Sequence, residues 1–111
     1  MIISCQRILD YTRNMTYTDF YDNLPIQDAV IRNLEILGEA TKNLSIELRN
    51  KYEQIDWSGI ARMRDKFIHY YFGLDISVIW DFVQLEIPLL KKQLVKLIKA
   101  EGWQKDLEEI L

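Results

Sequence analysis

Seven apolar residues in the last third of the chain recur at alternating intervals of four and three. They are Ile76, Trp80, Val83, Ile87, Leu90, Leu94 and Leu97. This heptad spacing places one apolar face of a helix against its neighbours. Pro88 lies within the run and removes a backbone donor, so we expect a kink there rather than an extended coiled coil. The segment therefore predicts a long helix packed inside a bundle.

Helical patterns also dominate the preceding residues. Apolar residues predict a first helix that ends near residues 14–16, and a short capped turn follows at residues 18–21. Asn23 and Pro25 are expected to open a second long helix. Its predicted buried face repeats every three or four residues and comprises Ile26, Val30, Leu34, Leu37 and Thr41.

Cap residues mark the remaining helices. Ser45 begins a short helix that runs to about Glu53, and Asp56 or Ser58 caps the next helix. Gly73 is expected to end that helix. Asp75 or Ser77 is expected to cap the last helix, and Gly102 is expected to end that last helix. No alternating strand pattern of useful length is present. We predict an all-α fold, an antiparallel bundle of four to five helices.

Length and composition fit one globular domain covering residues 1–111, with 49% hydrophobic and 28% charged residues. The single cysteine, Cys5, excludes an internal disulfide and is expected to be a small buried side chain. With no signal-type segment and no apolar run near the roughly 20 residues that cross a bilayer, we expect a cytoplasmic protein without a membrane contact. The net charge of −3 argues against bulk nucleic-acid binding, so phosphate recognition requires a local basic cluster.

Residues 63–75 contain the only histidine, His69, together with Arg64 and four aromatic rings. Histidine titrates near neutrality and can shuttle protons, and arginine presents a charged fork that suits phosphate or carboxylate. On a helix, Arg64 and His69 lie roughly 140° apart around the axis and do not share a face. Asp65 does share a face with His69 and could orient its ring.

These residue types alone leave a second interpretation open. A single histidine on an aromatic-rich helix is more often a half-buried, hydrogen-bonded residue, and Tyr70, Tyr71 and Phe72 could simply be core or interface packing. One histidine, one cysteine and scattered carboxylates form no recognisable ligand set, so we expect neither a metal nor a cofactor. Four lysines on one flank of the last helix are typical of a solvated face, or could follow RNA phosphates; they are Lys91, Lys92, Lys96 and Lys99.

The pattern Arg64-x4-His69-x-Tyr71 resembles the signature of the HEPN ribonuclease superfamily, specifically its HepT-like branch. Two further segments are similar to that branch in order and distance: residues 32–45 to its "RN…IGEA…LS" stretch, and residues 57–65 to its "W…I…MRD" stretch. Residues 69–80 then resemble its "HxY…D…VW" continuation. The chain departs from the pattern at its start, where it lacks several residues that usually open the first helix. We therefore expect that helix to be short.

The resemblance implies a homodimer whose Arg and His motifs face each other across the two-fold axis, which the many rings of so small a bundle also favour. It implies a toxin that is a metal-independent endoribonuclease, in which the ribose 2′-OH of the RNA attacks the adjacent phosphate. His69 would move the proton and Arg64 would stabilise the charge on the phosphorane. Asp65 and Tyr70 would have supporting roles.

The resemblance also implies a partner, an MNT-type nucleotidyltransferase antitoxin that attaches AMP to the tyrosine of the motif, here Tyr71. A bulky anion beside Arg64 would occupy the phosphate site and repel RNA. The alternative for Tyr71 is a packed ring among Tyr70 and Phe72.

Two other functions remain open. One is a non-catalytic HEPN-like binding module that binds nucleotides or assists a nucleotidyltransferase, although such a module need not keep both Arg64 and His69. The other is a helical interaction protein that uses the heptad face. It predicts that His69→Ala changes only stability.

Overall fold

The computed structural model of the protein describes residues 1–69 and 75–105, without the side chains of residues 67–69. Within these ranges the chain is helical and contains no β-strand. The helices are α1 (Ile2–Tyr11), α2 (Tyr17–Tyr21), α3 (Leu24–Lys42), α4 (Ile46–Lys51), α5 (Trp57–His69), α6 (Ile76–Asp81) and α7 (Ile87–Ala100), with a π-helical segment, Phe82–Glu86, joining the last two. The predicted all-α fold is confirmed. Its long members are α1, α3, α5 and the continuous run from α6 to α7.

The predicted caps form local hydrogen bonds at the starts of four helices. The side chain of Asn23 accepts from the Ile26 N–H at 3.1 Å and opens α3. Ser45, Asp56 and Asp75 cap α4, α5 and α6 in the same way. Each cap satisfies a backbone donor that has no partner inside its helix, so helix boundaries follow directly from these side chains.

The boundaries differ from prediction at three places. The first helix ends at Tyr11, earlier than expected, and Asn14 just beyond it adopts a positive φ of 60°, which a right-handed helix does not contain. α2 begins at Tyr17 with a capping box in which Thr16 and Asp19 exchange hydrogen bonds. α4 ends at Lys51, two residues before the expected end.

The core confirms most of both predicted apolar faces. Four members of the α3 face are buried, and Ile26 is half-buried. On the last helix Ile76 and Trp80 are half-buried, and the buried members are Val83, Ile87, Leu90, Leu94 and Leu97. α3 packs between α1 and α5, and α7 packs on α1. The α3–α5 contact is the part of this core that places the motif.

A π-helical segment, Phe82–Glu86, ends two residues before Pro88, where we expected a kink. A proline cannot donate its backbone hydrogen bond, and a π-turn changes the hydrogen-bonding register in the preceding residues. The buried seam continues through the change, from Val83 to Ile87 and Leu90.

Two aromatic rings connect the start of the chain to the residues that follow the motif. Phe20 of α2 is fully buried, and its ring centroid lies 5.2 Å from that of Trp80 on α6. Rings at this distance stabilise each other beyond the area they bury. The contact joins α2 to α6.

Cys5 is fully buried on α1, as predicted, and burial raises the pKa of its thiol to about 11. A thiol with this pKa is almost entirely protonated at neutral pH and is a poor nucleophile. No helix in the described part of the chain combines the length and apolar character needed to cross a membrane.

Candidate active site

α5 carries the predicted site, and its first turn is firmly attached to the bundle. The Trp57 indole N–H donates to the Tyr52 carbonyl at 3.1 Å, and both residues are buried. Asp56 caps the helix by accepting from the Gly59 N–H at 3.0 Å. Ile60 is buried one turn later. These contacts fix the orientation of α5 and therefore the faces on which Arg64 and His69 lie.

Gly38 lets α3 approach α5 at the position of Arg64. A Cβ atom added at Gly38 would lie 2.1 Å from the Arg64 Cβ and 2.6 Å from its Cγ. No side chain larger than hydrogen fits there without moving one of the helices. The stem of Arg64 therefore lies directly against the backbone of α3.

Beyond this crossing the Arg64 guanidinium lies between two carboxylates. Its Nη2 is 3.1 Å from Glu39 Oε2, and its Nη1 is 3.3 Å from Asp65 Oδ1. Lys42 Nζ contacts the same Asp65 oxygen at 2.5 Å. We call these four side chains, Glu39, Lys42, Arg64 and Asp65, the Arg64 cluster. It contains two cations and two anions.

The exposure of Arg64 suits a binding role. Its side chain is 28% exposed, whereas its Nε is buried and has no hydrogen-bond partner among the described residues. The carboxylates that hold it are more open, at 53% for Glu39 and 45% for Asp65. An exposed ion pair of this kind contributes only about 0–1 kcal/mol, so an incoming anion can displace it.

The Asp65 carboxylate contacts two cations, Lys42 and Arg64. The hydrogen bond from Lys42, with a further one from Arg64, lowers the pKa of the Asp65 carboxyl below its ordinary value. Asp65 therefore remains ionised at neutral pH and helps to hold Arg64. The predicted contact between Asp65 and the ring of His69 lies outside the described side chains and stays a prediction.

His69 is the last residue of α5, so the helix is continuous from Arg64 to His69. The angle of roughly 140° between these positions, expected for a regular helix, therefore applies. The side chain of His69, and Tyr70, Tyr71 and Gly73 entirely, lie outside the described residues. Their predicted roles remain predictions. Among the residues that are described, no group of three or more His, Cys, Asp and Glu side chains could hold a metal ion.

Sequence reasoning missed two members of the Arg64 cluster. Glu39 and Lys42 are three residues apart on α3 and so lie on one helix face. That spacing was visible in the sequence. The pairing of Glu39 with Arg64 and of Lys42 with Asp65 could not be predicted from it, because the pairing depends on where α3 crosses α5.

Comparison with known proteins gives one family and several relatives. The family model described as "Ribonuclease HepT-like" matches residues 1–97. A "Putative RNase" from Methanocaldococcus jannaschii is 47% identical over 92 residues, covering 83% of this chain and 76% of the relative. A "Putative RNase" from Caldanaerobacter subterraneus subsp. tengcongensis is 39% identical, covering 87% of each chain. A "Probable ribonuclease HepT" from Thermococcus cleftensis is 46% identical, covering 83% of this chain and 84% of the relative. No solved structure matches.

Proposed function

This chain belongs to the ribonuclease HepT-like family, and from that premise we propose that it is the toxin of a toxin–antitoxin pair, a cytoplasmic endoribonuclease that cleaves RNA without a metal ion. The family and the names of the relatives support the ribonuclease class. One structural observation carries the assignment to residues. Arg64 is held at the α3–α5 crossing with its side chain 28% exposed, five residues before the only histidine and on the same helix.

The proposed reaction is an internal transesterification. The ribose 2′-oxygen bonds to the adjacent phosphorus, the bond from phosphorus to the 5′-oxygen of the next nucleotide breaks, and a 2′,3′-cyclic phosphate remains. His69 moves the proton, from the attacking hydroxyl or to the leaving oxygen. Arg64 stabilises the negative charge on the phosphorane. DNA lacks the nucleophile and is spared.

The substrate phosphate has to share Arg64 with the carboxylates that hold it. Glu39 contacts only Nη2 and is about half exposed, so a phosphate can replace it at the guanidinium. Asp65 can keep its contact with Nη1, because Lys42 also neutralises its charge. In this proposal Glu39 and Asp65 keep Arg64 in place until the RNA arrives.

We infer that the active form is a homodimer. Positions 64 and 69 lie on different faces of α5, so a single chain does not readily present both side chains to one phosphate. A two-fold pair brings two arginines and two histidines to one cleft, which also supplies one imidazole as base and another as acid.

A cleavage assay with matched substrates tests the chemistry. We expect the protein to cut a defined RNA in excess chelator, to leave 2′,3′-cyclic phosphate ends, and to leave DNA of the same sequence intact. The matched control is the same RNA with one 2′-deoxynucleotide at the cleaved position, where cutting should stop. Cleavage that requires a divalent metal, or that continues at the deoxynucleotide, would contradict the mechanism.

The proposed antitoxin is an MNT-type nucleotidyltransferase that attaches AMP to Tyr71. The motif position of Tyr71 supports this, together with the repulsion that an added phosphate would exert on RNA near Arg64. With antitoxin and ATP, we expect an intact-mass increase equal to one or more AMP groups. Tyr71→Phe should lose the increase and the matched variant Tyr70→Phe should retain it. An undiminished increase in Tyr71→Phe would exclude Tyr71 as the acceptor.

A further inference from the structure

A groove of about 610 Å³ lies between α5 and the run formed by the π-helical segment and α7. Met63 of α5, Phe82 of the π-helical segment and Leu89 of α7 give part of its lining an apolar character. All three side chains are at least partly exposed. The volume lies within the range of about 300–1,000 Å³ that small-molecule and cofactor sites occupy. A nucleotide could therefore fit.

Two cations line the same groove. Arg62 and Lys66 are both exposed and are four residues apart, so they lie one turn apart on one face of α5. Neither forms an ion pair with a carboxylate in the part of the chain that the structure describes, whereas Lys42 and Arg64 both do. Two cations that pair with no carboxylate among the described residues, beside an apolar surface, fit a ligand with phosphates and rings.

Two acidic residues, Asp56 and Glu86, also line the groove, and only the first is in a position that limits its effect on an anionic ligand. Asp56 lies at the start of α5, where its carboxylate accepts the Gly59 N–H and complements the positive end of the helix. Glu86 is exposed at the end of the π-helical segment and makes no side-chain cap for α7. Glu86 is therefore the acidic group whose charge should oppose an anionic ligand.

Helical register connects this groove to the motif. Positions 62 and 69 are seven residues apart, which returns to nearly the same face of α5. Position 64 is close to the opposite face, where Arg64 packs against α3. The cationic side of the groove therefore leads along α5 to the position of His69.

We propose that this groove binds the RNA strand beside the cleaved bond, with Arg62 and Lys66 contacting phosphates and with Phe82 and Met63 contacting a base. The inference rests on the proposed ribonuclease function and adds the path of the substrate. Charge complementarity favours RNA over a purely apolar partner, because burying the two cations under an apolar surface would leave them without a counter-charge.

RNA binding can be measured without cleavage in a His69→Ala background. The probe is a fluorescein-labelled single-stranded RNA, titrated at several salt concentrations by anisotropy. Adding Arg62→Gln and Lys66→Gln should weaken binding about tenfold or more and reduce the salt slope by about 1.4, since each single-strand phosphate contact contributes about 0.7. Glu86→Gln should strengthen binding. The matched control, Arg7→Gln with Lys105→Gln, removes two exposed cations outside the groove and should change affinity less than twofold.

Equal affinities for the groove and control variants would overturn the proposal. The proposal would also be wrong if a second copy of the chain covers the groove. In that case Leu89→Asp would dissociate the dimer in sedimentation, while the charge variants would bind RNA normally. Failure of the proposed function gives a different result, because the wild-type protein then does not cleave RNA. If wild type cleaves and Arg62→Gln with Lys66→Gln cleaves equally well at subsaturating RNA, only the groove proposal fails.

Discussion

Alanine in place of Gly38 is expected to lower the free energy of unfolding by about 1–3 kcal/mol, the usual result of overpacking a core. Helix propensity alone predicts the opposite sign, because alanine is the better helix former by about 1 kcal/mol. The steric effect should prevail because the new methyl group would lie 2.1 Å from the Arg64 Cβ, an atom fixed to the backbone of α5. Chemical denaturation of the two proteins measures the difference.

A double variant shows whether that contact is the cause. Arg64→Gly removes both atoms that the new methyl group would meet most closely. The loss of stability from Gly38→Ala should therefore be much smaller in the Arg64→Gly background than in wild type, a coupling that a double-mutant cycle measures. Equal losses in the two backgrounds would show that the close approach of α3 and α5 does not determine the requirement for glycine.

Gly38→Ala should also reduce RNA cleavage under conditions where the variant remains folded. Separating α3 from α5 moves the Arg64 guanidinium, and a displacement of about 1 Å in a catalytic group can cost about 100-fold in rate. Cleavage is compared at a temperature well below the unfolding midpoint of both proteins. A destabilised variant with an unchanged rate would separate the role of Gly38 in stability from the position of Arg64.

Local chemistry made most of the helix boundaries predictable. Asn23, Ser45 and Asp75 are cap residues that act within three positions, and the structure confirms each of them. The predicted end of the first helix was wrong because the spacing of apolar residues carries no information on the backbone of residues 12–14. There the positive φ of Asn14 determines the chain direction.

The candidate site was predictable only in part. The scarcity of histidine and the chemistry of the two side chains make Arg64 and His69 candidates, and the resemblance of their spacing to the HepT-like motif favours them over simple packing. Their catalytic roles stay predictions. Glu39 was missed because its contact with Arg64 joins residues 25 positions apart, at a crossing that exists only because Gly38 lacks a side chain. The groove beside Arg62 and Lys66 was missed for a similar reason. It depends on how α5 lies against α7, which helical periodicity does not specify.

Cleavage of one defined RNA by wild type, His69→Ala and Arg64→Ala tests the central claim most directly. Chelator is present throughout, each variant is shown to be folded by thermal unfolding, and Arg7→Ala, an exposed cation of α1, is the matched control. The His69 variant should lose about 10²–10⁴-fold in rate, as expected for removal of a general acid or base. The Arg64 variant should lose about 10²–10³-fold, as for removal of a preorganised donor to the developing charge.

Wild type and Arg7→Ala should cut alike and leave cyclic phosphate ends. Equal cutting by all four proteins would mean that the activity comes from a contaminant and that Arg64 and His69 have no part in it. If no protein cuts, intact mass of the wild type decides between two accounts. AMP on Tyr71 would keep the ribonuclease proposal, whereas an unmodified, inactive protein would contradict it and favour a nucleotide-binding module.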